Sequence, residues 1–95
     1  MPLFTLALRF PEIDDQRPNV RERHRHYLAD LRDDGKVVAA GPWDHDHGAL
    51  IVYQADDADE AKAMMANDPY VSEGVLAAAE LHEWQPVIGG VETLA

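Results

Sequence analysis

Large apolar side chains alternate with smaller or polar ones at the start of the chain, over residues 3–10. One side of this segment carries every second residue: Phe4, Leu6, Leu8 and Phe10. Arg9 falls on the other side, near the end. A period of two is typical of a β-strand with one strongly apolar face. The first predicted element is therefore a strand whose apolar face lies against a core.

A helix of about four turns is predicted next, from the first-turn Pro18 to Asp34, with Gly35 directly after it. Its apolar positions recur at helical spacing: Val20, His24, Tyr27, Leu28 and Leu31. An ionisable residue, His24, thus occupies a core-facing position. Such a histidine is either an acid–base group or a core residue bonded to a carbonyl, and spacing leaves both interpretations open.

Two further strands are predicted at residues 36–43 and 49–55, joined by a hairpin turn at residues 44–48. The turn contains His45 and His47 beside two aspartates, which superficially resembles a metal site. No third ligand is identifiable, and polar residues with a glycine are what a hairpin turn needs. We therefore favour a turn over a metal-dependent enzyme and expect no metal.

The second helix is predicted from a capping-box-like start, Asp57 with Glu60, to Asn67. Its apolar stripe continues to an ionisable residue: Ala61, Met64, Met65 and Asp68. Asp68 precedes a proline, and aspartate in that position commonly caps a helix start. Spacing alone thus favours a cap over a catalytic role for Asp68.

A turn or brief helix at residues 69–74 and a fourth strand at residues 75–85 complete the order βαββαβ. This order predicts an α+β, ferredoxin-like fold, with a four-stranded antiparallel sheet and both helices on one face. The uncovered face would gain from pairing with a second copy. We expect one domain over residues 1–95, with its core at 3–87 and a tail at 88–95 that is frayed or docked on a partner subunit.

Composition narrows the functional classes. The 95 residues include no cysteine, which excludes disulfides, thiolate metal sites and a cysteine nucleophile. The N-terminal apolar run is interrupted by Arg9 and Pro11, so we expect no signal peptide, no membrane partner and a cytoplasmic protein. The net charge of −10 argues against a nucleic-acid partner. The five arginines between residues 17 and 32 are interleaved with acids, which favours a solvated face over a site for an anionic substrate.

His24 and Asp68 can meet if the two helices lie side by side on the sheet. An imidazole exchanges protons near neutral pH, and a carboxylate on its other nitrogen fixes the tautomer and stabilises the cation. The segments 24–28 (HRHYL), 35–42 (GKVVAAGP) and 67–71 (NDPYV), followed by Trp84, resemble the YCII-related family. The resemblance extends over residues 3 to about 87.

The resemblance implies a dimeric α+β barrel of two facing sheets, with an active site built around a His–Asp pair. By position the pair is His24 and Asp68. The resemblance therefore favours a catalytic role for Asp68, with one carboxylate oxygen free to cap while the other faces the histidine. Related barrels include isomerases, monooxygenases and other enzymes of small cyclic metabolites, so the fold does not specify the reaction.

Our hypothesis is a cofactor-independent enzyme on a small aromatic or cyclic metabolite. His24 would be the general base and Asp68 would orient it. Arg9, Trp43 and Tyr70 are the predicted substrate-binding residues. The alternative is a non-catalytic dimeric module that binds a small molecule or supports another enzyme. Contact between His24 and Asp68 that opens onto a concave pocket would favour catalysis, whereas two residues far apart, or both sealed in packing, would favour the module.

Overall fold

The computed structural model describes residues 1–90 and confirms the predicted element order, and the segment predicted as a turn or brief helix forms a short third helix. The elements are β1 (Leu3–Arg9), α1 (Arg17–Asp33), β2 (Val37–Trp43), β3 (Gly48–Gln54), α2 (Ala58–Asn67), α3 (Pro69–Ser72) and β4 (Ala78–Trp84). The strands form one antiparallel sheet in the order β2-β3-β1-β4. This is the predicted ferredoxin-like α+β fold. None of the helices within residues 1–90 is long and apolar enough to cross a membrane.

The core lies between the helices and one face of the sheet. The predicted apolar side of β1 is buried in it, and Leu6 is 0% exposed. Ile51 and Tyr53 extend the core on β3, and Val20 of α1 and Ala61 and Met64 of α2 cover it. Each buried aliphatic side chain contributes about 1.5–3 kcal/mol relative to exposure. The alternation of residues 3–10 therefore fixes which face of the sheet holds the helices.

The helix boundaries follow local signals. Helix α1 begins one residue before Pro18, and the chain leaves it through Gly35, whose φ of 75° is left-handed. Helix α2 has the predicted cap, because the Glu60 N–H donates to Asp57 Oδ1 at 2.8 Å. The Glu60 carboxylate accepts in turn from the Asp56 N–H at 3.0 Å. The Gly35 turn therefore ends α1, and the hydrogen bonds of Asp57 and Glu60 start α2.

The fourth strand is shorter than predicted and begins at Ala78 rather than at residue 75. Val75 is buried in the core but lies outside the sheet, and its N–H donates to the Tyr70 carbonyl at 3.3 Å. An apolar residue that packs in the core from a loop gives the same sequence signal as one in a strand, and periodicity does not distinguish the two. Residues 91–95 of the predicted tail lie outside the described residues. Val87 and Ile88, before them, are more than 90% exposed.

The sheet face opposite the helices is apolar at its centre. Val52 of β3 lies there, paired in register with Thr5 and Ala39 on its two sides. Trp43 and Trp84 lie toward opposite ends of this face and are 40% and 38% exposed. Within residues 1–90 no helix covers these side chains.

Candidate active site

Asp68 ends α2 and caps α3. The following proline disfavours helical geometry at residue 68, and its backbone is extended, with φ −66° and ψ 125°. Its Oδ1 atom accepts the Tyr70 N–H at 2.9 Å, which confirms the predicted cap. The same Oδ1 lies 2.7 Å from His24 Nδ1. The cap and the contact with histidine therefore coexist.

The helix cap and the contact with His24 both use Oδ1. This corrects the expectation that one carboxylate oxygen would cap while the other faced the histidine. Asp68 is 0% exposed, and among the described residues its Oδ2 atom has no hydrogen-bond partner. A carboxylate oxygen has two lone pairs, so Oδ1 can accept from the ring and from the backbone together. The helix start thus places the carboxylate against the imidazole.

His24 is buried on α1, at 7% exposure. An ionised carboxylate can only accept, so Nδ1 donates to Asp68. The imidazole also stacks on the Tyr70 ring, with centroids 3.8 Å apart and planes 7° from parallel. Within residues 1–90 no group hydrogen-bonds to Nε2. Asp68 and Tyr70 therefore fix the tautomer and the plane of the ring, and Nε2 keeps a free lone pair.

A cavity of about 500 Å³ opens beside His24. Its apolar wall comes from the sheet and α1 and includes Phe10, Leu28, Pro42 and Ile51. Its polar lining includes His24, Tyr70 and three arginines of α1: Arg17, Arg21 and Arg25. Pockets of this volume that combine an apolar wall with convergent polar groups are typical of small-molecule sites.

Arg17 is buried, at 5% exposure, so the interpretation of the arginine-rich stretch as a solvated face is wrong for this residue. Its guanidinium donates to Asp14 at 2.6 Å and to Asp46 at 3.1 Å, and lies 3.6 Å from the Phe10 ring centroid. A third donor is 3.4 Å from the Tyr70 hydroxyl. Burial acts to lower the Arg17 pKa, but these hydrogen bonds outweigh it and raise the pKa.

A sequence signal for Arg17 exists. Cations are unfavourable at a helix N-terminus, and Arg17 is the first residue of α1, three residues after Asp14. An arginine there indicates a partner nearby in sequence. The contact with Asp46 depends on the folded hairpin and has no such signal.

The predicted substrate-binding residues lie in three places. Tyr70 lines the cavity and stacks on His24. Arg9 is exposed and borders a neighbouring depression together with His45 and His47. Trp43 is paired with Gly48, which is paired in turn with Arg9, so strand alternation puts both on the sheet face away from the helices. The structure brings Tyr70 to the His24 cavity but brings neither Arg9 nor Trp43 there.

The histidine-rich segment forms the predicted hairpin turn between β2 and β3. Asp44, His45 and Asp46 all have left-handed φ angles, of 49°, 55° and 71°. His47 Nδ1 hydrogen-bonds to the Asp44 carbonyl. In the described part of the chain, no three His, Cys, Asp or Glu side chains are grouped so that they could hold a metal ion. His45 and Asp46 instead form part of the cavity lining.

Tyr53 of β3 is close enough to Asp68 to feel its charge, and the sequence did not predict a role for it at the site. It is 0% exposed, and no described residue hydrogen-bonds to its hydroxyl. Burial raises its pKa, and the negative charge of Asp68 and the nearby Tyr27 raise it further. Tyr27 also has a raised pKa, from burial and then from Asp68, and its hydroxyl donates to the Met64 carbonyl at 2.7 Å. Both phenols are therefore held in the neutral form near the Asp68 carboxylate.

The fold and the site define a small ferredoxin-like α+β protein with a His–Asp contact beside a cavity. The YCII-related domain family matches residues 3–85, so the chain belongs to the YCII-related family. The resemblance noted from the sequence is confirmed. A search of the curated proteins found no match.

Solved structures share the fold. One is 5-chloro-2-hydroxyhydroquinone dehydrochlorinase (TftG) from Burkholderia phenoliruptrix AC1100, in complex with 2,5-dihydroxybenzoquinone. It is 26% identical, with a TM-score of 0.76 over 87% of this chain and 93% of that one. PA3566 from Pseudomonas aeruginosa is 14% identical, with a TM-score of 0.60 over 90% and 94%. Atu4242 from Agrobacterium tumefaciens is 12% identical, with a TM-score of 0.60 over 93% and 95%. The last two are similar in fold alone.

Proposed function

We propose that this protein is a cofactor-independent enzyme that transfers protons on a small, hydroxylated ring compound, with His24 as the general acid–base. The observation that carries the proposal is the 2.7 Å contact between His24 Nδ1 and the buried Asp68, on an imidazole that lines a cavity. Contact between His24 and Asp68 that opens onto a concave pocket is the arrangement expected of a catalytic site, and it favours an enzyme over a non-catalytic module. Asp68 itself is sealed from the cavity, which fits an orienting role.

The chemistry follows from the tautomer. Nε2 takes a proton from a ring hydroxyl, and the positive charge that develops on the imidazole is stabilised by Asp68. The oxygen lone pair then forms a ring carbonyl, and the displaced ring electrons take up a proton at carbon. Where the protonated carbon carries a halogen, loss of the proton of a second ring hydroxyl forms a second carbonyl, and halide leaves that carbon with its bonding electrons. The first course is an isomerisation, and the second is an elimination of hydrogen halide.

Two observations support a ring compound. The cavity of about 500 Å³ has an apolar wall against which a ring can lie flat. The 26%-identical neighbour is named as a dehydrochlorinase of a chlorinated hydroxyhydroquinone and holds a dihydroxybenzoquinone. That substrate belongs to the neighbour, and its class is the one to test first here.

The test is an incubation with 5-chloro-2-hydroxyhydroquinone, followed by chloride release and ring absorbance. We expect His24→Ala to lower the rate by about 10²–10⁴-fold, the usual contribution of a general acid–base. His26→Ala is the matched control, because His26 is exposed on the same helix. An unchanged rate in folded His24→Ala would overturn the assignment.

We also propose that two copies pair through the uncovered sheet face. The apolar centre of this face and the half-exposed Trp43 and Trp84 support the pairing. Light scattering should give a mass of twice 10.6 kDa. A monomer at micromolar concentration would contradict the pairing.

A further inference from the structure

Two arginines of α1 line the cavity without a carboxylate partner. Arg21 and Arg25 are one helical turn apart, and His24 lies between them in sequence. The other arginines of α1 each form an ion pair: Arg17 with Asp14 and Asp46, Arg23 with Glu73, and Arg32 with Asp33. Within residues 1–90, neither Arg21 nor Arg25 has such a pair.

The charge balance of the chain makes this arrangement informative. There are 18 acidic residues against 8 lysines and arginines, so partners for a surface cation are abundant. The carboxylate among the cavity-lining residues is Asp46, and Arg17 already binds it at 3.1 Å. Arg21 and Arg25 therefore bring to the α1 side of the cavity two positive charges that form no ion pair within residues 1–90.

The geometry suits one anionic group. Side chains four residues apart on a helix have Cβ atoms about 5–6 Å from each other, so both guanidinium forks can reach a single carboxylate. Guanidinium and carboxylate are planar and match each other through paired hydrogen bonds. The apolar wall of Phe10, Pro42 and Ile51 faces the same space and suits the ring that would carry the group.

We propose that the substrate carries a carboxylate, which Arg21 and Arg25 bind while its ring lies on the apolar wall beside His24. The position of the reacting atom at His24 rests on the proposed function. The selection of an anion rests on the two arginines and is testable by binding alone.

The experiment compares two probes that differ by a carboxylate, 2,5-dihydroxybenzoate and hydroquinone, by titration calorimetry. The wild-type protein should bind the carboxylate probe at least about tenfold more tightly, because charge-assisted hydrogen bonds commonly strengthen binding by that factor. The double variant Arg21→Gln/Arg25→Gln should lose the preference and keep its affinity for hydroquinone. Rising salt should weaken the preference in the wild type, because partly exposed charges are screened.

The matched control is Arg23→Gln, which removes a charge from the same helix. Arg23 binds Glu73 at 2.8 Å and is not part of the cavity lining, so this variant should keep the preference. Equal affinities in the wild type, failure of both probes to bind, or a preference that survives in the double variant would overturn the inference. Loss of the preference in Arg23→Gln to the same extent would also overturn it.

The two proposals fail in different ways. A protein whose chloride release depends on His24, but which binds both probes equally, would overturn the charge selection alone. A protein that prefers the carboxylate probe, but whose turnover is unaffected by His24→Ala, would overturn the acid–base proposal alone.

Discussion

The imidazole of His24 lies parallel to the phenol ring of Tyr70, with the ring centroids 3.8 Å apart. Tyr70 follows Asp68 by two residues, and the Tyr70 N–H donates to the carboxylate that also binds His24. A single turn at the start of α3 therefore supplies both the stacking partner and the hydrogen-bond partner of the imidazole.

Asp68→Asn should remove the negative charge at residue 68 and keep the helix cap. Asparagine still caps a helix through its amide oxygen, so the fold should persist, but its NH₂ group can donate to the ring nitrogen, which a carboxylate cannot do. The imidazolium would lose its carboxylate and its fixed tautomer, so activity should fall by about 10²-fold or more. Steady-state rates measure the effect. Wild-type activity in Asp68→Asn would contradict the orienting role.

Asp68→Ala should destabilise more than the removal of a cap alone. It loses the cap and leaves the Tyr70 N–H and His24 Nδ1 without their buried acceptor, at a cost of about 2–4 kcal/mol in the free energy of unfolding. Asp57→Ala is the matched control, since Asp57 caps α2 away from the cavity and should cost about 1 kcal/mol. Urea unfolding measures both, and equal losses would contradict the shared role.

Arg17→Met should destabilise by about 1–3 kcal/mol, because it leaves Asp14 and Asp46 without their cation. The value lies below that of a fully buried pair because Asp46 is half-exposed. Arg23→Gln, which breaks an exposed pair, should change the free energy of unfolding by less than about 0.5–1 kcal/mol. Similar losses in the two variants would contradict the structural role of Arg17.

Gly48→Ala should be costly, whereas Gly41→Ala should not. A Cβ at Gly48 would lie within 3 Å of two atoms, the Leu8 carbonyl oxygen and Trp43 Nε1. The oxygen is backbone and cannot move aside, so a loss of about 1–3 kcal/mol is expected. A Cβ at Gly41 would meet nothing within 4 Å. Chemical unfolding of both variants checks the contrast, and a neutral Gly48→Ala would contradict it.

Glu60 should contribute to the free energy of unfolding near neutral pH and lose this contribution in acid. The Asp56 N–H and then the Lys36 ammonium hold the pKa of Glu60 below its usual 4.5. Because the folded-state pKa is lowered, the contribution is complete above the unfolded-state pKa and is lost as pH falls through the folded-state pKa. The difference in unfolding free energy between wild type and Glu60→Gln should therefore shrink below about pH 4.5. A difference that stays constant into strong acid would contradict this account.

Much of the fold follows from local patterns. The alternation of residues 3–10 and the apolar stripes of the two long helices specify which faces meet, and Asp57 with Glu60 marks a helix start. His24 and Asp68 were identified because an ionisable residue on an apolar stripe is conspicuous. Their contact required the two helices to be adjacent, which the element order implies.

Other parts of the site depend on contacts distant in sequence. The burial of Arg17 requires Asp46, 29 residues away in a hairpin whose three left-handed residues no short pattern specified. Arg9 and Trp43 were chosen as residues near the ends of elements, but the pleat turns both away from the His24 cavity. The free charges of Arg21 and Arg25 are evident only once the partners of the neighbouring arginines are known.

The most direct test of His24 as the proton-transfer group is the exchange of ring hydrogens in D₂O, followed by NMR. Proton transfer between a ring hydroxyl and a ring carbon replaces hydrogen by deuterium at that carbon. With 1,2,4-trihydroxybenzene, the wild-type protein and His26→Ala should accelerate the exchange well above the rate without protein, and folded His24→Ala should not. Equal exchange with wild type and His24→Ala, or no acceleration by the wild type, would contradict the account.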